Sequence, residues 1–299
     1  MEVNPGYDGR FESAIRDGEV VEFRFNTDAI TSSVTDVWPI RALPGLDELY
    51  CRGSGSGPND GTYRGNAIDL ARLRGMRLTM ISIKDGPIKD LSPLIGLPLT
   101  KLVCRRTKVA DLSPLRSMPL EVLHYDMRLF DEADEAILRS LPLVSITYNE
   151  KGDQPIDVFW QELAQRRNVA QAFAKDASQL SPANRLVAVL GKLDELNGAD
   201  QVRLTHKLDG ERLAQAEAYL GGKTADLTPL MALDSLNKLT LYGCLPWQDL
   251  SCLKFLPLEE LTCSDDALYK NQNTLREIKT LRTINGMPAD QFWSKLLGE

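Results

Sequence analysis

Histidine is almost missing: the chain holds 2. A metal centre of three imidazoles is excluded, and a histidine-based triad could draw only on His124 or His206. Cysteine is sparse. The 5 residues stand at 51, 104, 244, 252 and 263 with no Cys-x-x-Cys pair, which fits neither a disulfide framework nor a zinc site. No apolar run approaches the ~18–20 residues that a membrane-spanning helix needs, so no membrane partner is expected. The opening MEVNPGYDGR has neither the basic region nor the apolar stretch of a secretory signal. Unpaired cysteines and no visible signal together point to a cytoplasmic location. Cations are the minority charge: 35 Lys and Arg stand against 42 Asp and Glu, a net charge of -7. A nucleic-acid partner is therefore not expected.

What is there is enough apolar material, 43% of 299 residues, for about two domains. The dominant signal is a repeat. Asp69, Asp90 and Asp111 recur at a step of about 21 residues, as do Leu73, Leu94 and Leu115, and Leu78, Leu99 and Leu120. Two consecutive units read IKDLSPLIGLPLTKLVCRRTK and VADLSPLRSMPLEVLHYDMRL. This L-x-x-L-x-(apolar) pattern is a leucine-rich-repeat signature. It predicts an α/β repeat: a solenoid with one short strand per unit in a curved parallel sheet. So short a unit leaves no room for a long return helix, so the convex side should be 3-10 or irregular. An earlier unit begins at Asp36, separated from the next by RGSGSGPNDGTYRG (52–65), which reads as a loop.

The architecture occurs twice. ADLTPLMALDSLNKLTLYGC, from Ala225, matches the unit at Asp36, and a further unit starts at Asp249. A D-G turn precedes each set; Asp17-Gly18 reads as a β-hairpin, whereas GERLAQAEAYL fits a strand or a helix. Each set closes on Phe-Trp, at Trp160 and Trp293. Two tandem modules with helical caps are expected. Residues 1–160 form a module of about four repeats, 161–200 a helical connector, and 201–299 a module of about two repeats. In the connector, Ser181-Pro182 reads as a helix start and Asn197-Gly198 as its stop, with Leu186, Val189, Leu190, Leu193 and Leu196 on one face. Nothing equivalent precedes Asn4, as if the first module lacked its leading helix.

The motifs N-P-G-Y-D-G, V-x-D-L-S-P-L-R-x-M-P-L and I-N-G-x-P-A-x-x-F-W resemble those of leucine-rich-repeat proteins abundant in planctomycete bacteria. In many of those the repeats follow a serine/threonine protein kinase domain. The resemblance implies a recognition region, with a regulatory or sensor role beside such a kinase as the alternative. It does not imply kinase activity: no Gly loop followed by a strand Lys, no H-R-D and no D-F-G is present. A hydrolase within 161–200 is disfavoured, because that stretch is Ala- and Leu-rich without a nucleophile–base pair.

The expected function is non-enzymatic recognition of a protein or peptide on the concave face, without cofactor or metal. Strand alternation turns Tyr50, Arg52, Lys84, Lys101, Arg105, His124, Lys238 and Tyr242 toward that face. Tyr50, Arg52, Arg105 and Tyr242 are of the residue types that anchor interfaces. Lys101, Arg105, Arg106 and Lys108, beside Lys84, form a basic cluster. His124 and Asp126 share a strand face, but the preceding strand offers them only Val103 and Arg105 and no nucleophile. The cysteines fall at repeat-core positions, and the Asp of each repeat is placed to cap the turn after it.

Overall fold

The computed structural model describes residues 4, 10–26, 34, 36–52, 68–148, 152–209, 212–222 and 224–298, with the backbone alone for Asn26, Arg52 and Asp209. The expected loop at 52–65 lies outside them, apart from the backbone of Arg52 at the end of a strand. The chain divides into two compact units. One is built mainly from residues up to Phe159, the other from Trp160 onward together with Arg128–Asp131.

In the first unit, hairpin β1 (Phe11–Arg16) and β2 (Glu19–Asn26) turns at Asp17 and Gly18, both left-handed at φ 53° and 82°. That geometry matches the twist of the two strands. Strands β3 (Glu48–Arg52), β4 (Met80–Ser82), β5 (Lys101–Val103), β6 (Val122–Tyr125) and β7 (Ser145–Tyr148) follow, each parallel to the one before. Two-residue β8 (Gln154–Pro155) closes the sheet antiparallel to β7.

Register explains the repeat. Leu49, Ile81, Leu102, Leu123 and Ile146 are successive partners across the sheet, and all are 0% exposed. One unit alone could not bury such a residue, whereas a stack buries the whole column. The chain returns through short 3-10 segments, η1 (Trp38–Ala42), η2 (Leu70–Leu73), η3 (Ser92–Leu94) and η4 (Ser113–Leu115). Each is opened by its Asp. The Oδ1 atoms of Asp36, Asp69, Asp90 and Asp111 accept from the backbone N–H two residues on, at 2.7–3.0 Å. The carboxylate satisfies a donor that so short a helix cannot satisfy itself. Before β7 the return is instead helix α1 (Glu132–Ser140), where EADEAILRS holds no proline to stop propagation. Asp134 of α1 accepts from the buried Tyr125 hydroxyl at 2.8 Å.

Helix α2 (Ile156–Ser178) starts in the first unit, with Phe159 edge-on to Tyr148, and continues into the second. Helix α3 (Pro182–Asn197) begins as Ser181 Oγ accepts from Asn184 N–H, and stops at Gly198, φ 88°. Leu186, Val189 and Leu193 are buried; Leu196, expected on the same face, is exposed.

The second unit repeats the plan. Antiparallel β9 (Val202–Asp209) and β10 (Arg212–Leu220) lead to parallel β11 (Lys238–Tyr242), β12 (Glu260–Thr262) and β13 (Thr283–Ile284), closed by antiparallel β14 (Met287–Pro288). GERLAQAEAYL is thus strand from Arg212 on. Segments η5 (Thr228–Ala232) and η6 (Ser251–Phe255) are opened by Asp226 and Asp249 in the same way. Helices α4 (Asp265–Lys270) and α5 (Gln272–Leu275) replace the 3-10 return before β13, and α6 (Ala289–Leu297) buries Phe292 and Trp293.

Side-chain amides hold successive turns together by imitating a peptide group. Gln248 accepts from Ala225 N–H and donates to Ala225 C=O, at 2.9 and 2.7 Å. Asn285 does the same to Cys263 at 3.0 and 2.9 Å. Asn271, 0% exposed, accepts from Leu250 N–H and donates to the carbonyls of Gln248 and Ala267, at 2.8–2.9 Å.

Candidate partner-binding face

The residues between the core positions form rows on the other side of the first unit's sheet. One row runs Glu48, Met80, Lys101, Val122; the next runs Arg24, Tyr50, Ser82, Val103, His124, Thr147. The second row has a low middle: Ser82 and Val103 are short side chains, 2% and 7% exposed, between the rings of Tyr50 and His124. Four adjacent strands span about 14 Å at ~4.8 Å per step, the length of about four extended residues. Met80, Ser82 and Val103 are buried, although alternation alone would leave them solvated.

Tyr50 is half-buried, its hydroxyl donating to Glu48 at 2.8 Å and its ring under the Arg24 guanidinium at 3.9 Å. Burial, then the Glu48 hydrogen bond, push its pKa up to about 12. Arg105 lies 3.7 Å from Asp126, Lys84 lies 3.6 Å from Asp85, and Arg106 lies 3.5 Å from the same Asp85. Lys101, half-buried, stands opposite Met80 and Val122. The side chain of Arg52 lies outside the described residues.

His124 differs from its sequence reading in both neighbours. Its Nε2 is 3.0 Å from Asp153, not paired with Asp126, whose Oδ2 accepts from Arg106 N–H at 2.6 Å. The strand on its other side, β7, places Thr147 beside it, and Thr147 donates to the same Asp153 oxygen. The hydroxyl is thus committed to the carboxylate and not aligned with the imidazole as a nucleophile would be. Sequence reasoning missed this pair because Asp153 lies beyond β7. Burial holds the His124 pKa below the usual value; Asp153 opposes this, and the charges of Lys101, Arg105 and Lys84 add to it.

In the second unit, Lys238 pairs with Glu260 at 2.6 Å. Tyr242 stacks on Tyr219 with centroids 4.7 Å apart and planes 22° apart, and both rings are more than 40% exposed. The Tyr219 hydroxyl donates to Glu217 at 3.1 Å. Tyr219 was not legible as a site residue, because its segment fitted a strand or a helix equally.

All 5 cysteines are free and buried. Burial drives the thiol pKa values of Cys51 and Cys252 up, and a hydrogen bond from the Cys244 thiol to Cys263, together with burial, does so for Cys244. Among the described residues no group of His, Cys, Asp and Glu is arranged to hold a metal ion, and no helix is long and apolar enough to cross a membrane.

No protein-family model matches the chain, and no curated protein matches it. Among solved structures, internalin C2 from Listeria monocytogenes is similar over 89% of this chain and 80% of that one, at 17% identity and a TM-score of 0.31. A score that low leaves the fold to rest on the strand register itself, which makes this chain an α/β repeat protein.

Proposed function

We propose that the chain is a pair of tandem leucine-rich-repeat modules that recognises a protein or peptide partner without catalysis, and that the recognising surface is the concave, strand-lined face. One observation carries the reading: Lys101 and His124 stand on neighbouring strands around Ser82 and Val103, with Lys84 and Arg105 just beyond the same strands, 3.6 and 3.7 Å from an aspartate each. A floor between rings accepts an extended backbone, and cations around it favour carboxylates on that backbone. The partner class is accordingly an acidic peptide segment. The stacked Tyr219–Tyr242 pair offers the second module a comparable aromatic anchor. Buried free thiols suit a reducing cytoplasm. The kinase association implied by the sequence resemblance would leave this face as the point of recognition.

The test is a display of extended peptides of acidic, neutral and basic composition, offered to the parent and to a Lys101→Ala, Arg105→Ala double variant. Retention of acidic peptides by the parent, about tenfold weaker in the variant and weakened by salt, is the expected result. Equal retention by both proteins overturns the reading.

A further inference from the structure

Two exposed rings mark one end of the second unit's strand face. One row across that face runs Arg203, Tyr219, Tyr242, and the next runs Thr205, Glu217, Thr240, Thr262. Arg203 lies on the outer strand β9, 3.7 Å from Asp200. Inward of β9 the charges beside the two tyrosines are carboxylates. Glu217 stands between Thr205 and Thr240 and accepts from the Tyr219 hydroxyl at 3.1 Å. Asp265, just past β12, accepts from Asn285 Nδ2 at 2.8 Å. Both are exposed, and among the described residues neither pairs with a cation.

Stacking lets each tyrosine cover one face of the other, so the outer face of Tyr242 is turned toward β12. The residue beside it there is Ser264. It lies two positions beyond Thr262, the partner of Thr240, and its hydroxyl donates to Cys244 C=O at 3.2 Å. Ser264 is exposed and short. At about 4.8 Å per strand, a flat group one ring thick completes the row in the room that Ser264 leaves. The first unit contains such a row already filled. There the Arg24 guanidinium lies 3.9 Å over the ring of Tyr50, between the carboxylates of Glu22 and Glu48. Counted from Asp36 and Asp226, Tyr50 and Thr240 are equivalent, and register then puts Glu217 where the first unit has Arg24. The second unit thus keeps rings and carboxylates but has a carboxylate in place of the arginine.

We propose that this end of the second unit's face binds the guanidinium of an arginine side chain in the partner peptide. The inference rests on the reading of the strand-lined face as the recognising surface, and names what its second-unit part takes. A guanidinium is flat and cationic. Its plane stacks on an aromatic ring, here Tyr242, and its charge answers Glu217 and Asp265. Its N–H groups only donate and ionised carboxylates only accept, so the polar contacts are complementary. An ammonium brings the charge without the plane. An aromatic ring or a sugar brings a face to stack but leaves both carboxylates without a countercharge.

The probe is the peptide acetyl-Gly-Ser-Arg-Ser-Gly-amide, with counterparts carrying lysine or citrulline at the centre. Citrulline keeps the plane and loses the charge. Each is titrated into the full chain with isotope-labelled tyrosine rings, and NMR follows the Tyr219 and Tyr242 signals, assigned from Tyr219→Phe and Tyr242→Phe. Expected are saturable shifts of both rings by the arginine peptide, with binding about tenfold weaker for citrulline and about threefold weaker for lysine. Tyr242→Ala, read at Tyr219, should weaken binding about tenfold and Asp265→Asn about threefold, whereas Tyr242→Phe retains it; circular dichroism verifies that the variants are folded. The Lys101→Ala, Arg105→Ala double variant should bind the probe as the parent does. Absence of a saturable shift at tens of millimolar peptide overturns the proposal. Equal binding of the citrulline peptide, or equal binding by Tyr242→Ala, overturns it too. Saturable shifts with maltotriose and none with the arginine peptide assign the rings to a sugar and overturn it. Failure of acidic peptides to be retained, with these shifts intact, refutes the first-unit site and not this one.

Discussion

Asn271 gives the sharpest quantitative test of how the turns are tied together. Replacing it by alanine removes the acceptor for Leu250 N–H and the donor to Gln248 C=O, at a position with 0% exposure. A buried group deprived of its partner costs about 1–3 kcal/mol, so two such groups make the expected loss about 2–6 kcal/mol. Asn285 is the internal control. It makes the same two-pronged contact, to Cys263, but from an exposed position where water replaces the lost amide. Its glycine variant, chosen because the left-handed φ of 49° would strain alanine, should lose only about 0.5–1.5 kcal/mol. Urea unfolding followed by tryptophan fluorescence reads both, since Trp247 and Trp293 lie in the same unit as these asparagines. An unchanged m-value shows that stability, and not the unfolded state, has moved. Equal losses for the two variants would refute the burial argument.

Titration should destabilise the first unit on the acid side of neutrality. The His124 pKa is lowered in the fold, so the unfolded chain takes up this proton first. The contribution is complete above the unfolded value of about 6.5 and is lost as pH falls below it. A melting profile between pH 7.5 and 5.5 should be flatter for His124→Asn, and an unchanged slope counts against the assignment. Gly243→Ala should cost about 2 kcal/mol or more. Its φ is +69°, and a Cβ there would stand 2.5 Å from Leu220 C=O; a melting temperature within 1–2 °C of the parent (about 0.5 kcal/mol for a unit this size) contradicts this. Cys51, Cys104 and Cys252 should resist a thiol reagent in the native chain and react once it is unfolded; labelling of the folded protein before unfolding counts against burial.

The repeat was legible because its period is enforced by packing. Leu49, Ile81, Leu102 and Leu123 must coincide across the sheet, so the sequence spells out the spacing, and Asp at each turn has a local reason to be there. Strand β7 and helix α1 were less legible, since EADEAILRS departs from the D-L-S-P-L return and the eye reads it as a cap. The candidate face was read only in part. Alternation placed Tyr50 and His124 on one side, but their partners Arg24 and Asp153 come from outside the periodic stretch, where no spacing points to them. Tyr219 escaped for a related reason: its stacking on Tyr242 depends on the pairing of β10 with β11, which the residues of β10 alone do not announce.

Each sheet ends on a two-residue strand that contains proline, Pro155 in β8 and Pro288 in β14. Proline has no amide proton to offer a further strand. Edge-to-edge growth of one copy upon another is therefore blocked at these ends. The opposite margins, β1 and β9, keep their backbone donors and rely on charge, through Glu12 and Arg16 on one and Arg203 and Lys207 on the other. Among the described strands, aggregation by strand addition thus has a polarity: it is favoured at the hairpin margins, and neutralising those charges would be the way to provoke it.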